Sequence, residues 1–80
     1  MPRLKVLSGR DIIKILSKFG FKTVSQRGIH VKLIRILTDG TRQTLTIPIH
    51  EELDKGTLRA IFRQALRYIP DEQLKPYFYD

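Results

Sequence analysis

The sequence predicts an α+β fold: a three-stranded antiparallel sheet with two helices on one face. Two segments, one on each side of the middle, repeat apolar residues at helical spacing: Ile12, Ile13, Ile15, Leu16 and Phe19, then Leu58, Ile61, Phe62, Ala65 and Ile69. Between them lie three short stretches rich in β-branched residues and separated by glycine turns. The chain has 80 residues, enough for a single domain over 1–80. A domain of this size buries roughly 60% of its unfolded surface. One sheet covered by one helical layer is the economical way to do so.

The first helix is punctuated at both ends. Ser8 is a good N-cap, and Asp11 three residues on completes a variant of the capping box. Leu7 and Ile12 are spaced as a hydrophobic staple across that cap. Gly20 supplies the left-handed residue that stops the helix. Strands are expected over 21–26, 29–37 and 42–49, with turns at Arg27-Gly28 and Asp39-Gly40. Leu45, Ile47 and Ile49 alternate with Thr44, Thr46 and Pro48 in the third. Pro48 has no backbone donor, which marks an edge or a strand end. Asp54 caps the second helix, with Leu53 and Leu58 as its staple. Pro70-Asp71-Glu72 reads as one more short helical turn with proline at its first position. The aromatic tail, Tyr77, Phe78 and Tyr79, either packs onto the domain, the better reading, or stacks nucleic-acid bases.

Charge narrows the partner. The chain carries a net charge of +7, and the imbalance is uneven. Residues 1–37 hold nine Lys/Arg against one acid, whereas 38–80 hold six against seven. A basic footprint of this kind favours an anionic partner over a merely solvated surface. There is no cysteine, so neither a disulfide framework nor a thiolate metal site is available. Two histidines alone are thin material for zinc, the acids form no obvious metal-binding pair, and the glycines are dispersed rather than gathered into a phosphate loop. No run is apolar and long enough to span a bilayer, and residues 1–10 lack the apolar core of a signal peptide. A soluble, cytoplasmic chain is expected, with no cofactor and no membrane.

Strand parity selects the residues that face away from the helices. Ile29, Val31 and Leu33 form the inward row of the second strand, so His30 and Lys32 point outward, joined by Thr44 and Thr46 from the third strand. Arg27 stands at the adjoining turn. The parity then drifts: Ile34 and Ile36 fall on the His30 side and Arg35 on the other. Either a bulge resets the strand near Leu33, or the open face carries an apolar patch for a protein partner.

This outward set matches the needs of RNA cleavage. RNA holds its own nucleophile, the 2′-hydroxyl, and needs one proton removed and another delivered to the leaving 5′-oxygen. An imidazole, which titrates at ~6.5 in water, can do either near neutral pH. A neighbouring Lys or Arg stabilises charge on the phosphate oxygens without any metal. By itself, an outward histidine on a basic strand is more often a binding or solvated residue than a catalyst. His50, just after the third strand and before Glu51-Glu52, reads as a loop residue or strap, with a second catalytic histidine as the sharper alternative.

Six pieces in order resemble one family. Ser8-Gly9, Gly20-Phe21, Gln26-Arg27-Gly28-Ile29-His30, Asp39-Gly40, Ile47-Pro48-Ile49-His50 and Lys55-Gly56-Thr57-Leu58-Arg59 together are similar to the HicA (YcfA-like) toxins, from about Lys5 to Tyr68. The resemblance implies an α-β-β-β-α fold like a double-stranded-RNA-binding domain. It implies the toxin half of a type II toxin–antitoxin system, a metal-independent endoribonuclease that cleaves mRNA and blocks translation. It also implies a HicB-like antitoxin that masks the active face, the toxin being a monomer alone or a hetero-oligomer with that antitoxin. The family's catalytic histidine falls on His30, and a further family histidine on His50 as a secondary site residue. RNA contacts are expected at Arg27, Gly28, Lys32, Lys55, Thr57 and Arg59, and no metal ligand is expected. Ile29 stands where the family usually has Ser, and Val31 where a second His often follows. The alternatives to a ribonuclease are a non-catalytic RNA-binding module and a protein-interaction domain of the same fold.

Overall fold

The computed structural model describes residues 2–80. Its order is α1 (Gly9–Lys18), β1 (Lys22–Arg27), β2 (His30–Ile36), β3 (Arg42–Pro48), α2 (Lys55–Ala65) and α3 (Asp71–Phe78). The strands form one antiparallel sheet in the order β1-β2-β3. Val31 and Leu33 from β2, with Leu45 and Ile47 from β3, pack in one core with Ile12 and Leu16 of α1 and with Leu58 and Ile61 of α2. Both long helices therefore lie on one sheet face, and the other face is open. The molecule measures 17 Å along its shortest axis, the thickness of one sheet plus one helical layer.

The helix ends follow the sequence signals. Ser8 Oγ accepts from Asp11 N at 3.0 Å, and Asp11 Oδ2 accepts from Ser8 N at 2.9 Å. Gly20 takes φ +92°, which lets its own N–H and that of Phe21 turn back to Ser17 O and Leu16 O. Asp54 Oδ2 accepts from Thr57 N at 3.0 Å at the start of α2. These bonds hold the Asp11 carboxyl below the ordinary range, chiefly through the backbone N–H of Ser8, and the Asp54 carboxyl likewise, chiefly through the Thr57 hydroxyl. A carboxyl depressed in the folded state stabilises above its unfolded value of about 3.9 and loses that contribution as pH falls through the folded value. The melting temperature should therefore drop between pH 6 and pH 3, and less steeply in an Asp11→Asn/Asp54→Asn variant. An equal drop in both would remove the caps as its source.

Gly9 is required by a close approach, not by its dihedral angles. The start of α1 presses against the end of β3: Gly9 N donates to His50 O at 2.9 Å. A Cβ at this position would overlap Pro48 O and stand 2.6 Å from the Ile49 Cα, both backbone atoms that cannot rotate away. Gly9→Ala should cost about 2–3 kcal/mol, read as a lower denaturation midpoint. A loss under about 0.5 kcal/mol would show that α1 can slide off β3.

The structure corrects three details. Each strand begins one residue later than or level with expectation, because Phe21 turns into the core at 1% exposure and Ile29 belongs to the two-residue turn before β2. The final piece is a helix of eight residues rather than a single turn, and Pro70 is its N-cap, one residue outside the first helical position. Leu74 and Phe78 give this helix a buried side, and the chain ends close on each other: Lys5 N donates to Phe78 O and Asp80 N to Arg3 O. Tyr77 and Tyr79 pack edge-on against Phe19 and Phe62. The aromatic tail is thus part of the packing. The bulge, finally, lies in β1 rather than β2: the β1–β2 register slips between Thr23 and Ser25, while β2 pairs with β3 without interruption from His30 to Ile36.

Arg35 explains how the parity drift is accommodated. It faces the helices from β2, and its guanidinium donates to Phe19 O at 2.9 Å, Tyr68 O at 2.8 Å and Gln43 Oε1 at 2.7 Å. It also stacks over the Phe21 ring at 4.9 Å. The planar fork suits this task because its donors diverge in fixed directions. One side chain thereby ties the end of α1, the segment after α2 and β3 to the central strand.

Candidate functional site

The unbroken β2–β3 ladder places outward residues in rows. Arg27 of β1 pairs with His30 of β2, which pairs with Pro48 of β3. In the next row Ser25 pairs with Lys32, which pairs with Thr46. Directly opposed side chains have Cβ atoms about 5 Å apart, and successive outward residues on one strand stand about 7 Å apart. Ser25, Arg27, His30, Lys32 and Thr46 accordingly line one cavity of about 340 Å³ on the open face. The His30, Arg27 and Lys32 side chains are exposed.

The turn that presents this row is held locally. Gly28 adopts φ +58°, in the left-handed region that favours glycine. Gln26 Nε2 donates to Gly28 O at 3.0 Å, bracing the turn, and Ile49 N donates to Ile29 O at 2.8 Å, tying it to the end of β3. Sequence patterning does not single out Ser25, and it names Gln26 only as the first residue of the motif that ends in His30. Ser25 becomes an outward residue only because the β1 bulge shifts the parity after Thr23, which alternation alone does not reveal.

The remaining site residues lie elsewhere. His50 lines a separate cavity of about 240 Å³ with Ser8, Arg10 and Glu51 beside the start of α1, and its carbonyl anchors Gly9. Lys55 and Arg59 border another cavity of about 470 Å³, together with Arg3, Lys5 and Asp80. Thr57 directs its hydroxyl to Asp54 Oδ1 at 2.6 Å, so it serves the helix cap. Among the described residues no group of three or more His, Cys, Asp or Glu is placed to hold a metal ion. Among the same residues no helix is long and apolar enough to cross a membrane.

A three-stranded antiparallel sheet with helices on one face, in the order α-β-β-β-α, belongs to the class of double-stranded-RNA-binding-domain-like folds. The family model described as the HicA toxin of bacterial toxin–antitoxin systems matches residues 9–66. The chain belongs to this HicA toxin family. Comparison with curated proteins and with solved structures gives no significant match. The matched region includes all three strands and the His30 row, and α3 lies beyond it.

Proposed function

We propose that this toxin is a metal-independent endoribonuclease that blocks translation by cutting mRNA, with His30 as its acid–base residue. The observation that carries the reading is the convergence of one imidazole, two cations and two hydroxyls in a single open cavity. RNA lying across the sheet presents a phosphate to Arg27 and Lys32, which take up charge on its non-bridging oxygens. His30 moves the proton: it accepts from the 2′-hydroxyl as that oxygen attacks phosphorus, and the imidazolium returns a proton to the departing 5′-oxygen. The products are a 2′,3′-cyclic phosphate and a free 5′-hydroxyl. Ser25 and Thr46 are placed to hydrogen-bond phosphate or ribose oxygens.

Lys55, Arg59 and the neighbouring Arg3 form a second basic surface that takes phosphates further along the strand, and these contacts contribute affinity rather than chemistry. Gly28 lets the turn backbone approach the RNA closely, Thr57 shapes the start of α2, and His50 acts through its backbone on α1. A HicB-like antitoxin, the family's implied partner, covers the open face and shuts the cavity. The toxin acts in the cytoplasm, where mRNA is available.

The test is cleavage of an RNA oligonucleotide in EDTA by the wild type and by His30→Ala, with a 2′-deoxy substitution at the cut site as control. The wild type should cut the RNA and spare the deoxy substrate, which lacks the nucleophile. Equal cleavage by the two proteins would overturn the role of His30. Salt-sensitive binding with no turnover by the wild type would leave an RNA-binding module.

A further inference from the structure

Beyond Lys32 the open face changes character. The outward positions of β2 run His30, Lys32, Ile34, Ile36, so a polar half gives way to an apolar half within one strand. Val24, the extra residue of the β1 bulge, joins Ile34 and Ile36 around a cavity of about 280 Å³ whose rim carries Lys22 and Arg42. Ile34 forms the floor at 8% exposure, and it stands outside the core cluster packed beneath the sheet. Val24 and Ile36 stand open at 53% and 64% exposure. Together they make a contiguous aliphatic recess on the surface of a small basic domain, the kind of surface that marks an interaction site.

Its chemistry selects the occupant. The lining is aliphatic, whereas nucleobases dock on aromatic rings. The rim is cationic, and the three strands contain no carboxylate at all, so the whole face repels cations and attracts acidic groups. We propose that this recess anchors the antitoxin: it receives one aliphatic side chain from an acidic segment whose carboxylates meet Lys22 and Arg42. This rests on the reading of the chain as a toxin with a protein antitoxin and adds where that partner grips. From Ile36 to His30 the strand runs about 20 Å, so an extended segment of about six or seven residues seated in the recess reaches Lys32 and His30. The anchor lies outside the residues that contact RNA, so affinity for the two partners is separable although their binding is mutually exclusive.

The experiment titrates the purified toxin with the antitoxin encoded beside it, and separately with a single-stranded RNA oligonucleotide. The proteins are wild type, Val24→Ser/Ile36→Ser, and Lys22→Glu/Arg42→Glu. The first variant keeps the net charge and alters two exposed side chains, so the fold survives, as a thermal melt will verify. It should bind antitoxin at least about tenfold more weakly, as loss of a central anchor does, and RNA within about twofold of wild type. The charge-reversed variant should also lose at least about tenfold toward antitoxin. Antitoxin affinity within about twofold of wild type in both variants would overturn the anchor, as would a tenfold loss toward RNA with antitoxin affinity kept. The latter result makes the recess a nucleotide subsite. Failure of the wild type to bind antitoxin would instead overturn the partner reading itself. Binding is read without turnover, so a chain that grips antitoxin here and leaves RNA uncut defeats only the ribonuclease reading.

Discussion

His30→Ala is expected to slow RNA cleavage by about 10²–10⁴-fold, the usual yield of a positioned acid–base group. That range corresponds to about 2.7–5.5 kcal/mol of lost transition-state stabilisation. The substitution leaves the fold intact because the side chain is exposed and leaves no cavity behind. His30 sits in a row with Arg27 and one residue pair from Lys32, and all three line one cavity, so in the proposed reaction they would meet the same phosphate. Arg27→Ala and Lys32→Ala should each reduce the rate less, because the remaining cation still neutralises part of the charge. Initial rates on a defined RNA at fixed salt measure all three. A His30→Ala rate within about threefold of wild type would move the chemistry to another cavity, and the one containing His50 would be next to examine.

Arg35→Ala is expected to cost about 3–4 kcal/mol of stability, as much as truncating a large core side chain. Its guanidinium makes three hydrogen bonds, two of them to main-chain carbonyls of Phe19 and Tyr68 that lie 16 and 33 residues away in sequence. A bond to a charged group contributes about 1.5–3 kcal/mol, and the set is not additive because one side chain serves all three. Deletion also strips those carbonyls of their donor and removes the stack on Phe21. For a small domain with total stability of about 5–15 kcal/mol the loss is a large share. Arg35→Lys should recover less than half, since an ammonium cannot reach three divergent acceptors at once. Urea unfolding of the three proteins measures this. A loss below about 1 kcal/mol for Arg35→Ala would show that these ties are replaced by water without cost.

Much of the local structure was legible before the fold was known. The Ser8–Asp11 box, the Gly20 stop and the Asp54 cap each depend on residues within three or four positions, so their signals survive in the linear sequence. The outward placement of His30 and Lys32 was legible for a similar reason, since strand alternation is a property of the backbone. The assembly of the site was less so. Arg27, His30 and Lys32 meet as expected, whereas Lys55 and Arg59 lie on a different cavity and Thr57 is engaged with Asp54. Their distribution depends on where α2 starts relative to β3, which no spacing rule encodes.

The drift in β2 marks the boundary between the two kinds of knowledge. Alternation placed Ile34 and Ile36 on the open face and Arg35 beneath the sheet, and left a choice between a bulge and an exposed patch. The tertiary structure decides for the patch, because β2 keeps its register with β3 and the bulge falls at Val24 on the neighbouring strand. A bulge is a mismatch between two paired strands, so neither strand states it alone. Arg35 becomes tolerable beneath the sheet only through acceptors that three other parts of the chain bring to it. The sequence by itself determined the two long helices with their caps and the direction that the β2 residues face, because backbone geometry sets these within a few residues. Which of those residues share a cavity was decided only by the packing of distant segments.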